Sequence, residues 1–313
     1  MASYIFRRLI ATIPVMLIVA VFVFLMLRLT PSDPAAIIAG DQATQQQILE
    51  IREKLGLEQP IATQFFVWLG QVLTGNLGDS FFFKMSVWNL ISDRIEPTLS
   101  LSLVTILIAV VVAIPLGAIA AYRQGTVLDR LVMGFSVLGF SIPVFVIGYL
   151  LVYIFAIELK WFPVQGYQRI AGGIGPWLNS LVLPAATLSV IYIALIARMT
   201  RTSMLEVLSE DYIRTARAKG QTETKVLFGH ALKNAAVPIV TVVGIGIALL
   251  IGGVVATESV FSIPGLGRLT VDAVLARDFP VIQAIILLFA FVYVLINLIV
   301  DLSYTIFDPR ITH

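Results

Sequence analysis

Glu210-Asp-Tyr-Ile-Arg-Thr-Ala-Arg-Ala-Lys-Gly220 is the most organised polar stretch of the chain, and Gln221 to Pro238 continue it. It reads as a basic helix, a glycine stop and a second helix. Leu181–Ala197 precedes it and Val237–Thr257 follows it, each apolar enough to cross a bilayer. A polar elbow held between two spans marks a membrane protein with a docking face on one side.

Within the elbow, the spacing predicts a helix over Met204–Lys219. Leu205, Leu208, Tyr212 and Ala216 recur at three- and four-residue steps and share a face. Glu210 and Asp211 precede Arg214 and Arg217, the favoured order for i,i+3 and i,i+4 ion pairs. Lys219 falls in the last turn, where a cation suits the helix dipole. Gly220 is placed as a left-handed terminator. Thr222 is a candidate cap for a second helix, Glu223–Asn234, and Pro238 falls in the first turns of the next span. Ala216 and Ala218 leave the corner small enough for a partner to approach closely. A solvated loop whose charges only set topology would explain the basic excess. It would not explain a capped helix, a stop and another capped helix in so short a space.

Working outward, 58% of the 313 residues are hydrophobic, 13% are charged, and the mean hydropathy is +0.95. A soluble domain is about 45–50% apolar and about 25% charged. Lipid is therefore the solvent of this chain. It has no cysteine, which excludes disulfides, thiol nucleophiles and thiolate metal sites. Two histidines, His230 and His313, are too few for a histidine-rich catalytic metal centre.

Six spans are expected: Ile5–Leu27, Leu99–Tyr122, Leu131–Ile157 with an interruption at Ser141-Ile-Pro143, Leu181–Ala197, Val237–Thr257 and Val281–Val300. The first is too long for a signal peptide, and no small-x-small cleavage site follows it. Six spans put both termini on one side. Of the 21 Lys and Arg, 12 lie on the terminus side. The positive-inside rule then makes the termini and the 198–236 segment cytoplasmic.

The opposite side carries a long insertion, Thr30 to Glu96. Thr44–Leu57 and Pro60–Leu73 have helical periodicity, Gly56 is placed to end the first, and Gly75-Asn-Leu-Gly78 reads as a turn. Phe81-Phe-Phe83 and Trp88 suit headgroup depth. The insertion is read as a small helical cap, with lipid-interface helices as the other reading. Ser262-Ile-Pro-Gly-Leu-Gly267 is a tight turn between spans five and six. Its glycines fit close backbone packing or a re-entrant bend. Asn297 and Asp301 are i,i+4 on span six, Arg28 ends span one and Glu258 ends span five; the three charged groups lie near interfaces, and all are assigned structural roles. Ser141 and Pro143 kink span three and free backbone groups, making them cavity-lining candidates.

Asp211-Tyr-Ile-Arg-Thr-Ala-Arg-Ala-Lys-Gly220, with His230-Ala-Leu-Lys-Asn-Ala235 and Pro238, resembles the "EAA" loop of ABC-importer permeases. More narrowly the chain resembles the dipeptide/oligopeptide/nickel branch. Arg7-Arg8-Leu9 with Pro14, Thr30-Pro-Ser-Asp-Pro34, Leu55-Gly-Leu57 and Gly75-Asn-Leu-Gly78 carry the likeness. So do Arg198 to Glu206, Glu258 to Arg268, Arg277-Asp-Phe-Pro280 and Asp308-Pro-Arg310. The chain is most similar to the first permease of a heterodimeric pair, of dipeptide-permease-B type. Glu158 to Ser180 is shorter than in dipeptide permeases with an insertion there, which leaves the cargo open.

The resemblance implies an all-α integral membrane protein with the type I ABC importer permease fold. Its organisation would be a first transmembrane helix over 1–29, an extracytoplasmic helical insertion over 30–96 and a core permease domain over 97–305. The core would carry the coupling loop 201–236, and 306–313 would be a cytoplasmic tail. It implies a coupling helix in a groove of an ATPase subunit. Glu210, Tyr212, Arg214, Ala216, Arg217, Ala218, Lys219 and Gly220 would be the contact residues. It implies partners: a second permease, one or two ABC ATPases holding ATP and Mg, and an extracytoplasmic binding protein delivering a peptide-like solute. Membrane lipid surrounds the chain, and nucleic acid has no place. The mechanism implied is alternating access in a multi-pass protein of the bacterial or archaeal cytoplasmic membrane.

The sequence has no Gly-x-x-x-x-Gly-Lys-Ser/Thr phosphate loop, so the chain is read as a pore subunit without ATPase activity, cofactor or metal of its own. A secondary transporter is the competing class, and would show inverted repeats and midplane charges. A membrane enzyme would need a nucleophile with its base, or His-Glu-x-x-His. Glutathione or a nickel chelate are alternative cargoes within the resembling family.

Overall fold

The computed structural model describes residues 2–29, 35–36, 44–54 and 56–307. Thr30-Pro-Ser-Asp-Pro34, Leu55 and the Asp308-Pro-Arg310 tail lie outside the described residues. Among the described residues the regular secondary structure is helical, apart from one isolated bridge, Asp79 with Ser86.

Two compact units form from discontinuous segments. One comprises 6–94 and 269–294, the other 1–5, 95–268 and 295–313.

In the 6–94 unit, α1 (Ala2–Leu29) carries Pro14 without ending there. α2 (Gln45–Lys54) opens on a reciprocal capping box. The Gln47 backbone N–H donates to Thr44 Oγ1 at 3.3 Å, and the Thr44 N–H donates to Gln47 Oε1 at 2.9 Å. Gly56 follows with φ +64°. α3 (Ile61–Leu73) turns Phe65 and Trp68 onto Phe24 of α1, with ring centroids 5.4 and 5.6 Å away. Phe24 is 2% exposed, so this aromatic group is a true core. The helices expected in the insertion are present. Asp278 holds the Phe81-Phe-Phe83 turn, accepting from Ser80 Oγ and from the Phe82 N–H at 3.1 Å.

The larger unit is built on α4 (Val87–Tyr122), α7 (Ile174–Leu208) and α10 (Ala236–Val260). Each is long and apolar enough to cross a membrane, as is the final helix α12 (Phe279–Phe307). α7 is the most buried of them and forms the axis of the unit. Lipid supplies no hydrophobic drive between helices, so small residues set the close approaches. At Gly117 a Cβ would lie 2.5 Å from the Ala197 carbonyl and 2.7 Å from Thr200 Cβ, so α4 and α7 cross almost in backbone contact.

The segment expected as one kinked third span is two helices. α5 (Val127–Ser141) and α6 (Val144–Leu151) meet at 104°, and α6 runs on as π-helical turns over Val152–Glu158. Ile142 is extended with ψ 124°, Pro143 has no N–H to give, and Ser141 Oγ donates back to the Val137 carbonyl at 2.9 Å. Ser141 and Pro143 are both exposed on this chain.

Candidate functional site

The polar elbow differs from the sequence expectation in one respect that matters. Met204–Lys219 is not a single helix. α7 ends at Leu208, and Glu210 is extended with ψ 148° before α8 (Asp211–Ala218) begins. Ser209 marks the break. Its N–H and Oγ both donate to the Glu206 carbonyl, at 3.2 and 2.7 Å, which closes the last turn of α7. The reorientation lets α8 lie against the elbow instead of projecting from it.

Ile213 is the residue that fixes α8. It is fully buried, in a cluster with Ala118 and Ala121 at the end of α4, Met204 of α7, Val226 and Ile239. The shared face expected from Leu205, Leu208, Tyr212 and Ala216 therefore splits. Leu205, Leu208 and Ala216 pack partly against this cluster, whereas Tyr212 is 43% exposed. The signal for Ile213 was its neighbour's: one position after Tyr212, it falls on the buried face only once the helix restarts at Asp211.

The outward face carries the other predicted residues. Tyr212, Arg214, Arg217, Ala218, Lys219 and Gly220 are exposed, as is Glu210 at the helix entrance. Ala216 is half-buried, so Ala218 is the small residue free at the corner. Arg214 Nη1 lies 3.1 Å from Asp211 Oδ1. Arg217 grips Glu223 with two bonds, Nε to Oε1 at 3.0 Å and Nη2 to Oε2 at 3.3 Å, tying α8 to the start of the next helix. Partial burial, with Glu210 nearby, pushes the Tyr212 phenol above its usual value, so it remains a hydroxyl donor.

Gly220 has φ +76°, the left-handed geometry a terminator needs. Its N–H donates to the Arg217 carbonyl at 2.9 Å. After it, the Val226 N–H donates to the Thr222 carbonyl at 2.9 Å. π-helical turns over Lys225–Ala231 then lead into α9 (Leu232–Asn234). His230 Nε2 and Gln221 Oε1 are 3.1 Å apart, and Asn234 Nδ2 donates to the His230 carbonyl at 2.8 Å. Both close the elbow on itself.

One support was not legible beforehand. Arg201, near the end of α7, makes a bidentate pair with Asp129 in the first turn of α5, with Nη2 to Oδ2 at 2.8 Å. Asp129 is 4% exposed and also accepts the Gly125 N–H at 2.9 Å. The two partners are 72 residues apart, and no local pattern joins them.

The elbow is an exposed, amphipathic corner with cations on its outer face. Among the described residues no cluster of His, Asp or Glu could hold a metal ion. What it can do is receive a complementary surface and pass displacement into α4, α7 and α10, whose ends share its core.

Comparison with known proteins assigns the class. Residues 113–313 match the family described as the binding-protein-dependent transport system inner membrane component, and residues 1–102 match the family of N-terminal segments of such components. The chain belongs to this family: it is an inner-membrane permease of the ABC import systems. It is 56% identical to a probable peptide ABC transporter permease of Sinorhizobium fredii over 313 residues, covering 100% of both chains. It is 45% identical to a putative peptide transport system permease of Brucella abortus, again over 100% of both. It is 44% identical to the glutathione transport system permease GsiC of Salmonella typhimurium over 100% of both. The fold is similar to a chain of the methionine ABC transporter MetNI, with a TM-score of 0.59 at 19% identity, covering 70% of this chain and 96% of that one.

Proposed function

We propose that this permease imports a peptide-like solute, and that α8 is the helix through which ATP hydrolysis drives it. The observation that carries the second part is Ile213. A short helix with its only fully buried side chain rooted among the ends of three membrane helices is built to transmit force. The ATPase contact is assigned to Glu210, Tyr212, Arg214, Arg217, Ala218, Lys219 and Gly220. Ala216 supports it from behind. Arg214, Arg217 and Lys219 supply charge-assisted bonds, and Ala218 allows close packing.

The assembly comprises a second homologous permease, one or two ABC ATPases that hold ATP and Mg, and an extracytoplasmic binding protein. This chain holds no cofactor or metal and does not hydrolyse ATP itself. Six spans, with α5 and α6 together counted as one, put the termini and α8 in the cytoplasm and the 30–96 insertion outside. The basic excess on the α8 side supports that orientation. Ser141 and Pro143, exposed at the break in the third span, are cavity-lining positions. ATP binding draws two such elbows together and tilts the spans outward-open.

Peptide is the cargo named for relatives at 56% and 45% identity, and glutathione, itself a tripeptide, for one at 44%. Co-purification from the native membrane, followed by ATPase assays with the binding protein and di-, tri- and oligopeptides, glutathione or a nickel chelate, tests the reading. Recovery of a second permease and ATPases with peptide-stimulated hydrolysis is expected. Recovery of the chain alone, active in gradient-driven uptake, overturns it.

A further inference from the structure

The turn after span five is wrapped around a buried carboxylate. Glu258, near the outer end of α10, has no exposed surface. Thr98 Oγ1, on α4, donates to Glu258 Oε1 at 2.6 Å. The backbone N–H of Arg268 donates to Glu258 Oε2 at 2.9 Å. Thr98 Oγ1 in turn accepts the Leu266 N–H at 2.8 Å. These two N–H groups belong to the first turn of α11 (Leu266–Leu275), where a helix has no internal acceptors. A carboxylate from one helix and a hydroxyl from another thus complete the start of a third.

The intervening backbone is shaped to the same group. A Cβ at Gly265 would fall inside contact distance of the Glu258 carboxylate, and one at Gly267 would lie 3.0 Å from Oε2 and 2.7 Å from Val255 Cα. Ser262, which opens the turn, has φ +50°. The glycines of Ser262–Gly267 therefore serve close packing around a carboxylate. Ile263, Gly265, Leu266 and Gly267 are all buried. A buried carboxylate is costly without donors, so losing one donor destabilises the whole arrangement.

We propose that Glu258 is a positioning residue of the transport cycle. It welds α4 at Thr98 and the end of α10 to the start of α11, so that the outer opening responds as one body when the binding protein docks. This rests on the importer reading above. Glu258 is fully buried and acts through the turn it holds.

The test uses the full complex in lipid nanodiscs, measuring basal and binding-protein-stimulated ATP hydrolysis. Thr98→Val keeps the shape of the side chain but removes both the donor to Glu258 and the acceptor for Leu266. Thr98→Ser keeps both. The expected result is a stimulated-to-basal ratio at least fivefold lower in Thr98→Val, with assembly and basal hydrolysis unchanged and Thr98→Ser like wild type. Glu258→Gln is expected to lower the ratio, and Glu258→Gln with Thr98→Val to lower it little further than Thr98→Val alone, because both act on one contact. A wild-type ratio in Thr98→Val overturns the proposal, as does an equal loss in Thr98→Val and Thr98→Ser. A wild-type complex that hydrolyses ATP but never responds to the binding protein removes the importer reading, and this proposal with it.

Discussion

Replacing Ile213 by Ala is the sharpest perturbation of the elbow. α8 has eight residues, too few to be stable as an isolated helix. Its placement depends on Ile213, which is fully buried, and on the half-exposed Arg217–Glu223 pair. An exposed ion pair contributes about 0.2–1 kcal/mol. Truncating a buried Ile to Ala costs about 2–5 kcal/mol. The side chain therefore dominates. At tenfold per about 1.4 kcal/mol, the ratio of docked to detached α8 falls about 30-fold to about 4,000-fold. Ile213→Val, costing about 0.5–1.5 kcal/mol, lowers it only about 2- to 12-fold. Trypsin reads the detachment directly, because Arg214, Arg217 and Lys219 sit on α8 or at its end. Cleavage of the purified complex at these sites should accelerate in the order wild type, Val, Ala. ATP hydrolysis and substrate uptake should lose their proportionality in the same order. A wild-type cleavage pattern and full coupling in Ile213→Ala would refute the claim that this side chain roots the helix.

Three further outcomes are expected. At Gly220, with φ +76° and open space where a Cβ would sit, only backbone strain opposes a side chain. Asn should keep transport, Ala should weaken coupling by roughly 1–2 kcal/mol of strain, and Pro, locked near φ −65°, should abolish it while membrane insertion persists. Ala218→Glu should block ATPase binding with little change in thermal stability, whereas Ala216→Glu, half-buried, should lower stability; ATPase pull-down and melting of the purified chain separate the two. Asp129→Asn should destabilise the complex by about 3 kcal/mol, seen as a lower melting midpoint in detergent, because it leaves Arg201 partly buried without its carboxylate. Transport per assembled complex should be unchanged, and a coupling defect at normal stability would contradict that role.

Much of this protein is written locally. Apolar runs of span length, Gly220, Gly56 and the amphipathic pattern of Ile61–Leu73 all declare themselves within one or two turns of chain. So does the basic excess on one side. These features depend on hydropathy and on i to i+4 neighbours, which a sequence displays in order. The exposed face of α8 was legible for the same reason, since charged residues seldom face a core.

Its buried supports were not. Whether Tyr212 or Ile213 points inward depends on where α7 stops, and Ser209 decides that through a bond to Glu206 that competes with the helix. The 104° turn at Ile142-Pro143 exceeds what a proline alone announces, and its size is set where α5 and α6 each pack on α7. Asp129 finds Arg201 across 72 residues, and Thr98 finds Glu258 across 160. The sequence by itself determined that this chain lives in a membrane, roughly where its long apolar helices run, and that the 210–220 elbow turns a charged face outward. Only the tertiary structure decided which side chains hold that corner and the opposite turn in place. Such contacts arise when distant segments are brought within hydrogen-bond reach, and no periodicity in the chain records them.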